Sequence, residues 1–153
     1  MMRFRYLGLA LLFPAACSRP IRLESPTPAA TTVDWSTTLQ PSAPGSGVGG
    51  AASVQSSEGR TTAVLSLTGM PAGEQLAWQI RRGECGENGP VVGEPSAYVP
   101  LAVGSAGRAT AQVILSAALD VGAAYAVVVH AKADPSSAVI ACGQLQRGAG
   151  EGE

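Results

Sequence analysis

From Gly49 onward the chain breaks into short apolar runs about 8 to 12 residues apart, divided by turn residues. The pattern predicts strands over 51–55, 60–67, 75–81, 97–103, 109–115, 124–131 and 139–145. Period-two alternation assigns their faces. Ala63, Leu65 and Leu67 share one side of the second run. In the third, Leu76, Trp78 and Ile80 oppose Ala77, Gln79 and Arg81. In the sixth, Tyr125, Val127 and Val129 oppose Ala126, Val128 and His130. Segments such as Met70-Pro71-Ala72-Gly73, Asp120-Val121-Gly122 and Asp134-Pro135-Ser136-Ser137 carry the Gly, Pro, Asp and Ser that tight turns require. Only Leu115–Leu119 hints at a helix, and it is too short to compete. The reading is an all-β domain, a sandwich of about seven or eight strands over residues 48–146.

Upstream the pattern changes. Residues 1–16 place Arg3 and Arg5 before an apolar stretch, Tyr6 to Phe13, and then Pro14-Ala15-Ala16, the layout of a signal peptide. The apolar stretch is far short of the roughly 20 residues that span a bilayer. From 17 to 47 Pro, Ser, Thr, Ala and Gly dominate with no sustained apolar period. That predicts a flexible spacer, with Trp35 and Leu39 as its apolar exceptions. The Gly-rich end, 147–153, is expected to be a disordered tail.

Composition narrows the function. Charged residues are 14% of the chain and the formal net charge is −1, with no basic stripe, so no nucleic-acid footprint is visible. Three cysteines are too far apart for a CxxC metal or redox motif. Cys17 follows the leader directly. If the leader exports the chain, the compartment permits disulfides, and Cys85 and Cys142 remain to form one bridge. The loop it closes, roughly 58 residues, is worth around 4 kcal/mol in the chain-entropy picture.

Two resemblances follow from particular residues. Ala15-Ala16-Cys17 resembles a bacterial lipobox, although Pro14 stands where an aliphatic residue is usual. The resemblance implies acylation of Cys17 and a membrane anchor of two or more hydrocarbon chains. Within the β domain three segments resemble Cu,Zn superoxide dismutase and its bacterial lipoprotein relatives. They are Leu67-Thr68-Gly69-Met70-Pro71 with Trp78-Gln79-Ile80-Arg81; Gly83-Glu84-Cys85-Gly86; and Val127-Val128-Val129-His130-Ala131-Lys132-Ala133-Asp134 with Ala141-Cys142-Gly143. The resemblance implies a Greek-key β-sandwich and the same Cys85–Cys142 bridge.

It also implies a copper site, and here the residues depart from the family. Imidazole suits copper, and two His at i and i+2 would share a strand face. This chain has one histidine, His130, and the i and i+2 positions are Gln79 and Arg81. An amide is a weak ligand, and a guanidinium stays charged and repels a cation. The stretch from Gly89 to Ala97, where the zinc loop would lie, holds no His or Asp. Gln79, Arg81 and His130 therefore read as vestigial-site positions, with no metal, no cofactor and no catalytic residue carried over. Arg81 and Arg82, with Lys132, offer cations for an anion, but a solvated loop edge is the preferred reading. Glu84, Glu87 and Glu94 form no acid–base pair, and one His supports no Ser-His-Asp triad. The expected function is a non-enzymatic, lipid-anchored envelope protein, exported to the outer membrane or cell surface, whose sandwich binds a partner or serves structure. The alternative is a divergent periplasmic metal-binding or redox enzyme.

Overall fold

The computed structural model describes residues 30–148. The expected signal peptide and the lipidated Cys17 lie outside the described residues. Ten strands run in chain order: β1 (Val33–Pro41), β2 (Gly49–Ser57), β3 (Arg60–Thr68), β4 (Gln75–Leu76), β5 (Trp78–Arg82), β6 (Leu101–Ala102), β7 (Arg108–Leu115), β8 (Tyr125–His130), β9 (Val139–Gln144) and β10 (Gln146–Arg147). The main sheet has the order β5-β8-β9-β1-β2-β3-β7, with β10 beside β1, and β4 and β6 form a small second sheet. Each pairing is antiparallel. The fold is therefore all-β: a curled sheet whose two halves face each other as a sandwich.

Alternation explains the packing. β3 buries Ala63, Leu65 and Leu67 and exposes the residues between them, so one face meets the core and the other meets water. Those side chains join Trp78, Ile80, Val127 and Val129 of the opposite half in one core, with Trp35 and Leu39 of β1. β8 departs from the alternation because all six of its residues are buried. Its inner face meets the core, and its outer face is roofed by loops.

The spacer expectation fails over part of its length. β1 lies inside the 17–47 segment, and it is a central strand. It pairs with β2 from Val33↔Ser56 to Leu39↔Gly50. Its other edge meets β10 at Trp35↔Arg147 and β9 at Gln40↔Cys142. Trp35 and Leu39 are 5% and 1% exposed, so the two apolar exceptions are the residues that anchor it. The domain thus starts near Val33, not at 48. At the other end Arg147, assigned to the tail, is paired in β10, and Gly148 donates its N–H to the Asp34 carbonyl. Two strand predictions also shift. The 75–81 run divides at Ala77, whose N–H and C=O pair instead with Lys132 and His130. The 97–103 run is mostly irregular: a 3₁₀ turn, Pro95–Ala97, precedes the two-residue β6. Pro95 at its first position fits that turn, because a missing N–H costs nothing there.

A buried polar chain closes the far end of the sandwich. Thr61 Oγ1 donates to the Ala117 carbonyl at 2.7 Å, so the Ser56 hydroxyl must donate to Thr61 Oγ1 at 3.1 Å. Ser56 Oγ then accepts the Leu119 N–H at 2.8 Å. Each polar group is satisfied, as burial demands.

Candidate ligand site on the outer face

The register of β5, β8 and β9 fixes what faces outward on this half. Gln79 stands opposite Val128, which stands opposite Cys142; Arg81 stands opposite Ala126, which stands opposite Gln144. These outward rows form a floor. Cys142 points away from the core and bonds Cys85 (Cα–Cα 5.9 Å), tying the 83–95 loop over that floor. Gln144 reinforces the tie: its Oε1 accepts the Cys85 N–H at 3.1 Å, and its Nε2 donates to the Tyr125 carbonyl at 2.8 Å.

The same loop then runs along the free edge of β5. Arg82 donates its N–H to the Pro90 carbonyl and Val92 donates to Ile80, both at 2.9 Å, and Arg81 bridges to Val91. The edge strand is thereby covered. Gly89 permits the approach, since a Cβ there would run into the Arg82 carbonyl oxygen. Tyr98 fastens the loop's end. Its hydroxyl donates to the Val92 carbonyl at 2.7 Å, and its ring packs edge-on against Trp78 at 5.3 Å. Burial pushes the Tyr98 hydroxyl up to about 12, partly offset by the Ile80 backbone.

The third wall is the β8–β9 loop. Asp134 accepts the Ser136 N–H at 2.8 Å and its hydroxyl at 2.7 Å, and these bonds, the hydroxyl first, hold the carboxyl below its ordinary value. Ser137 is pinned in turn, donating its hydroxyl to the Asp134 carbonyl at 2.6 Å and accepting the Lys132 N–H at 3.1 Å. This fixes the Ser137 carbonyl 2.8 Å from His130 Nδ1. A carbonyl only accepts, so Nδ1 carries the hydrogen in this bond.

Gln79, Arg81 and His130, the three positions that the resemblance singled out, come together here. Arg81 Nη2 donates to Gln79 Oε1 at 3.0 Å, and Gln79 and His130 are 4% and 3% exposed. His130 is held by the Ser137 backbone carbonyl, and Gln79 is engaged by Arg81. Two atoms remain without a protein partner: Arg81 Nε and His130 Nε2, both buried. Each unsatisfied buried polar atom costs about 1–3 kcal/mol. Arg81 and His130 border two adjoining cavities, of about 770 and 570 Å³. Asn88 and Val139 also line both. Nothing in the sequence pattern pointed to Asn88, or to the Ser137 carbonyl, because backbone groups and loop amides carry no periodic signal.

The cationic cluster of Arg81, Arg82 and Lys132 does not form as one surface. Arg82 turns to Asp120, at 3.8 Å in an exposed pair of little energetic weight. Nor does the donor set fit copper or zinc. One imidazole, one amide and one guanidinium lie at the relevant positions. Among the described residues no three His, Cys, Asp or Glu side chains cluster as metal ligands. Cys85 and Cys142 are consumed by their disulfide. No helix of the described residues is long and apolar enough to cross a membrane. No protein family model matches the chain, and no curated protein matches it.

Proposed function

We propose that the chain is an exported, lipid-anchored envelope protein whose sandwich is related to Cu,Zn superoxide dismutase but serves binding or structure, not dismutation. One observation carries the reading: at the positions where the resemblance calls for copper-binding imidazoles, Gln79 and Arg81 bond each other and leave a single imidazole beside a fixed cation. A guanidinium on a would-be ligand position opposes the charge that copper would bring. The all-β sandwich and the Cys85–Cys142 bridge agree with the relationship, and the leader ending in Cys17 supports export and anchoring.

Elemental analysis of protein purified from its own envelope tests the loss of metal chemistry. Copper and zinc well below one per chain are expected; a full equivalent of either would favour a divergent metal-dependent enzyme instead. For the anchor, Cys17→Ser should move the protein from the membrane to the soluble fraction. Membrane retention of that variant would refute lipid attachment at Cys17.

A further inference from the structure

We infer that the free edge of β7 is a homodimer interface, at which two copies of this chain pair antiparallel about a two-fold axis through Gln112. β7 ends the main sheet, and within that sheet only β3 pairs with it. The other end of the sheet is treated differently, since the 83–95 loop covers β5. An uncovered edge offers its row of N–H and C=O groups to another chain.

The register shows which groups are open. Gly104 donates its N–H to the Arg108 carbonyl at 2.8 Å, so that carbonyl points away from β3. In an antiparallel pair, residues of this kind alternate with those that bond the neighbouring strand. Ala109, Ala111, Val113 and Leu115 therefore bond Leu67, Leu65, Ala63 and Thr61, while Thr110, Gln112 and Ile114 turn their N–H and C=O to the open side. No backbone bond from another segment of the described residues reaches those N–H and C=O groups. The usual guards are missing too. β7 has eight residues, with no Pro, no Lys and no break in register, and its one charge, Arg108, lies at its start.

The three open positions are symmetric about Gln112, and that symmetry selects a second copy as the occupant. With Gln112 opposite its own counterpart, Thr110 of each chain faces Ile114 of the other, and every open N–H and C=O on both edges is satisfied at once. The register preserves which side chains face water, so the two sheets run on as one. Ile114, 52% exposed, gains the partner's Thr110 as a cross-strand neighbour. Charge agrees with the pairing. The same register sets the partner's Arg108 opposite Ser116, and Ser116 and Glu94 border one cleft at the end of β7. Neither Arg108 nor Glu94 has an ion-pair partner among the described residues.

Analytical ultracentrifugation tests this on the full chain carrying Cys17→Ser, which removes the one cysteine outside the bridge. A monomer–dimer equilibrium is expected between about 1 and 100 μM, the range of modest specific association. Gln112→Pro deletes an N–H on the open side and none of the bonds to β3, so it should weaken the dimer about tenfold or more while the cooperative melt is kept. Arg108→Glu should weaken it about fivefold, and adding Glu94→Arg should restore it. As a check that needs no loss of association, Gln112→Cys should give a disulfide-linked dimer on oxidation, because facing Cα atoms of a hydrogen-bonded pair lie about 5.5 Å apart. Ser53→Cys, exposed on β2, should not. A dimer that survives Gln112→Pro and does not cross-link through Gln112→Cys would place the interface elsewhere, and open-ended assemblies would exclude the two-fold axis. A monomer at every concentration would overturn the pairing outright. In that monomer, protected Thr110 and Ile114 amides would mean that another segment covers the edge, and rapid exchange would leave the edge to water.

Discussion

Removing the Cys85–Cys142 bridge should cost this domain a large part of its stability, and the amount follows from its place in the fold. The two cysteines are 57 residues apart in sequence, so the closed loop restricts nearly half of the described chain when unfolded. Chain entropy for a loop of that length gives about 4 kcal/mol, and native bridges in small exported domains typically contribute about 2–5 kcal/mol. The Gln144–Cys85 hydrogen bond sits beside the bridge and should loosen with it. A domain of this size unfolds with an entropy near 0.25 kcal/mol/K, so each kcal/mol is roughly 4 °C in Tm. The Cys85→Ser/Cys142→Ser double variant, which leaves no stray thiol in the domain, should therefore melt about 8–20 °C below the parent in oxidising buffer. Reductant should bring the parent down to the variant's curve and leave the variant unmoved. Scanning calorimetry with and without reductant reads both. A parent curve indifferent to reductant, with thiols titrating as free, would refute the argument at its root.

Three further outcomes test other parts of the structure. A chain begun at residue 48 lacks β1, which lies between β2 and β9, and should fail to give a cooperative melt by circular dichroism. Cooperative unfolding of that truncation would show β1 to be dispensable. Ser56→Ala strands the buried Leu119 N–H and breaks the link to Thr61, so urea unfolding should show a loss of about 1–3 kcal/mol; a change below about 0.5 kcal/mol would mean the chain of hydroxyls is not formed. Tyr98 is raised from 10.0 to about 12 by burial, so its neutral form is favoured in the fold. Its contribution is complete below pH 10 and declines as pH rises toward 12, because the unfolded chain loses the proton first. The stability gap between the parent and Tyr98→Phe should accordingly narrow by roughly 2 kcal/mol over that interval, and a gap constant with pH would contradict the shift.

Where the hydrophobic pattern was strong, the sequence disclosed the fold. Leu65, Trp78, Ile80, Val127 and Val129 alternate cleanly, and all of them are core residues. The failure at β1 has a physical cause. Its sequence, VDWSTTLQP, exposes every second position and fills one inward position with Thr37, so only Trp35 and Leu39 remain to signal burial. A central strand normally reads as apolar on at least one face. Here hydrogen bonding to β2 on one side and to β9 and β10 on the other compensates for a thin apolar stripe, and long-range pairing is invisible in local composition. The 97–103 run shows the converse error. Tyr98, Leu101 and Val103 are apolar and buried, yet Trp78 Nε1 takes the Val99 carbonyl at 2.9 Å in place of a strand partner. At the site, Gln79, Arg81 and His130 were singled out by the family resemblance, and periodicity gave only the strand face that each of them shares. The hydrogen bond between Gln79 and Arg81, and the two atoms left unpaired, depended on loops whose course no pattern reveals.

The loops around Gln79, Arg81 and His130 are held by the protein's own bonds. A loop organised by a metal loses its fold when the ligands are lost, because the binding energy is also ordering energy. The 83–95 loop needs no such clamp. One end is fixed covalently at Cys85, its middle is hydrogen-bonded along β5 through Pro90 and Val92, and Tyr98 holds the Val92 carbonyl from beyond its far end. The facing loop is organised by Asp134 and Ser137. With both rims fixed by their own bonds, the cavity between them keeps its shape whatever side chains stand at positions 79 and 81. It follows that loss of the bridge should loosen the 83–95 loop by more than it disturbs the core. The Cys85→Ser/Cys142→Ser variant, studied well below its melting temperature, should show normal core resonances for Leu65 and Val127 but faster hydrogen exchange at the Arg82 and Val92 amides, which the loop's course along β5 protects. Unchanged exchange at those amides would mean the bridge plays no part in holding the loop.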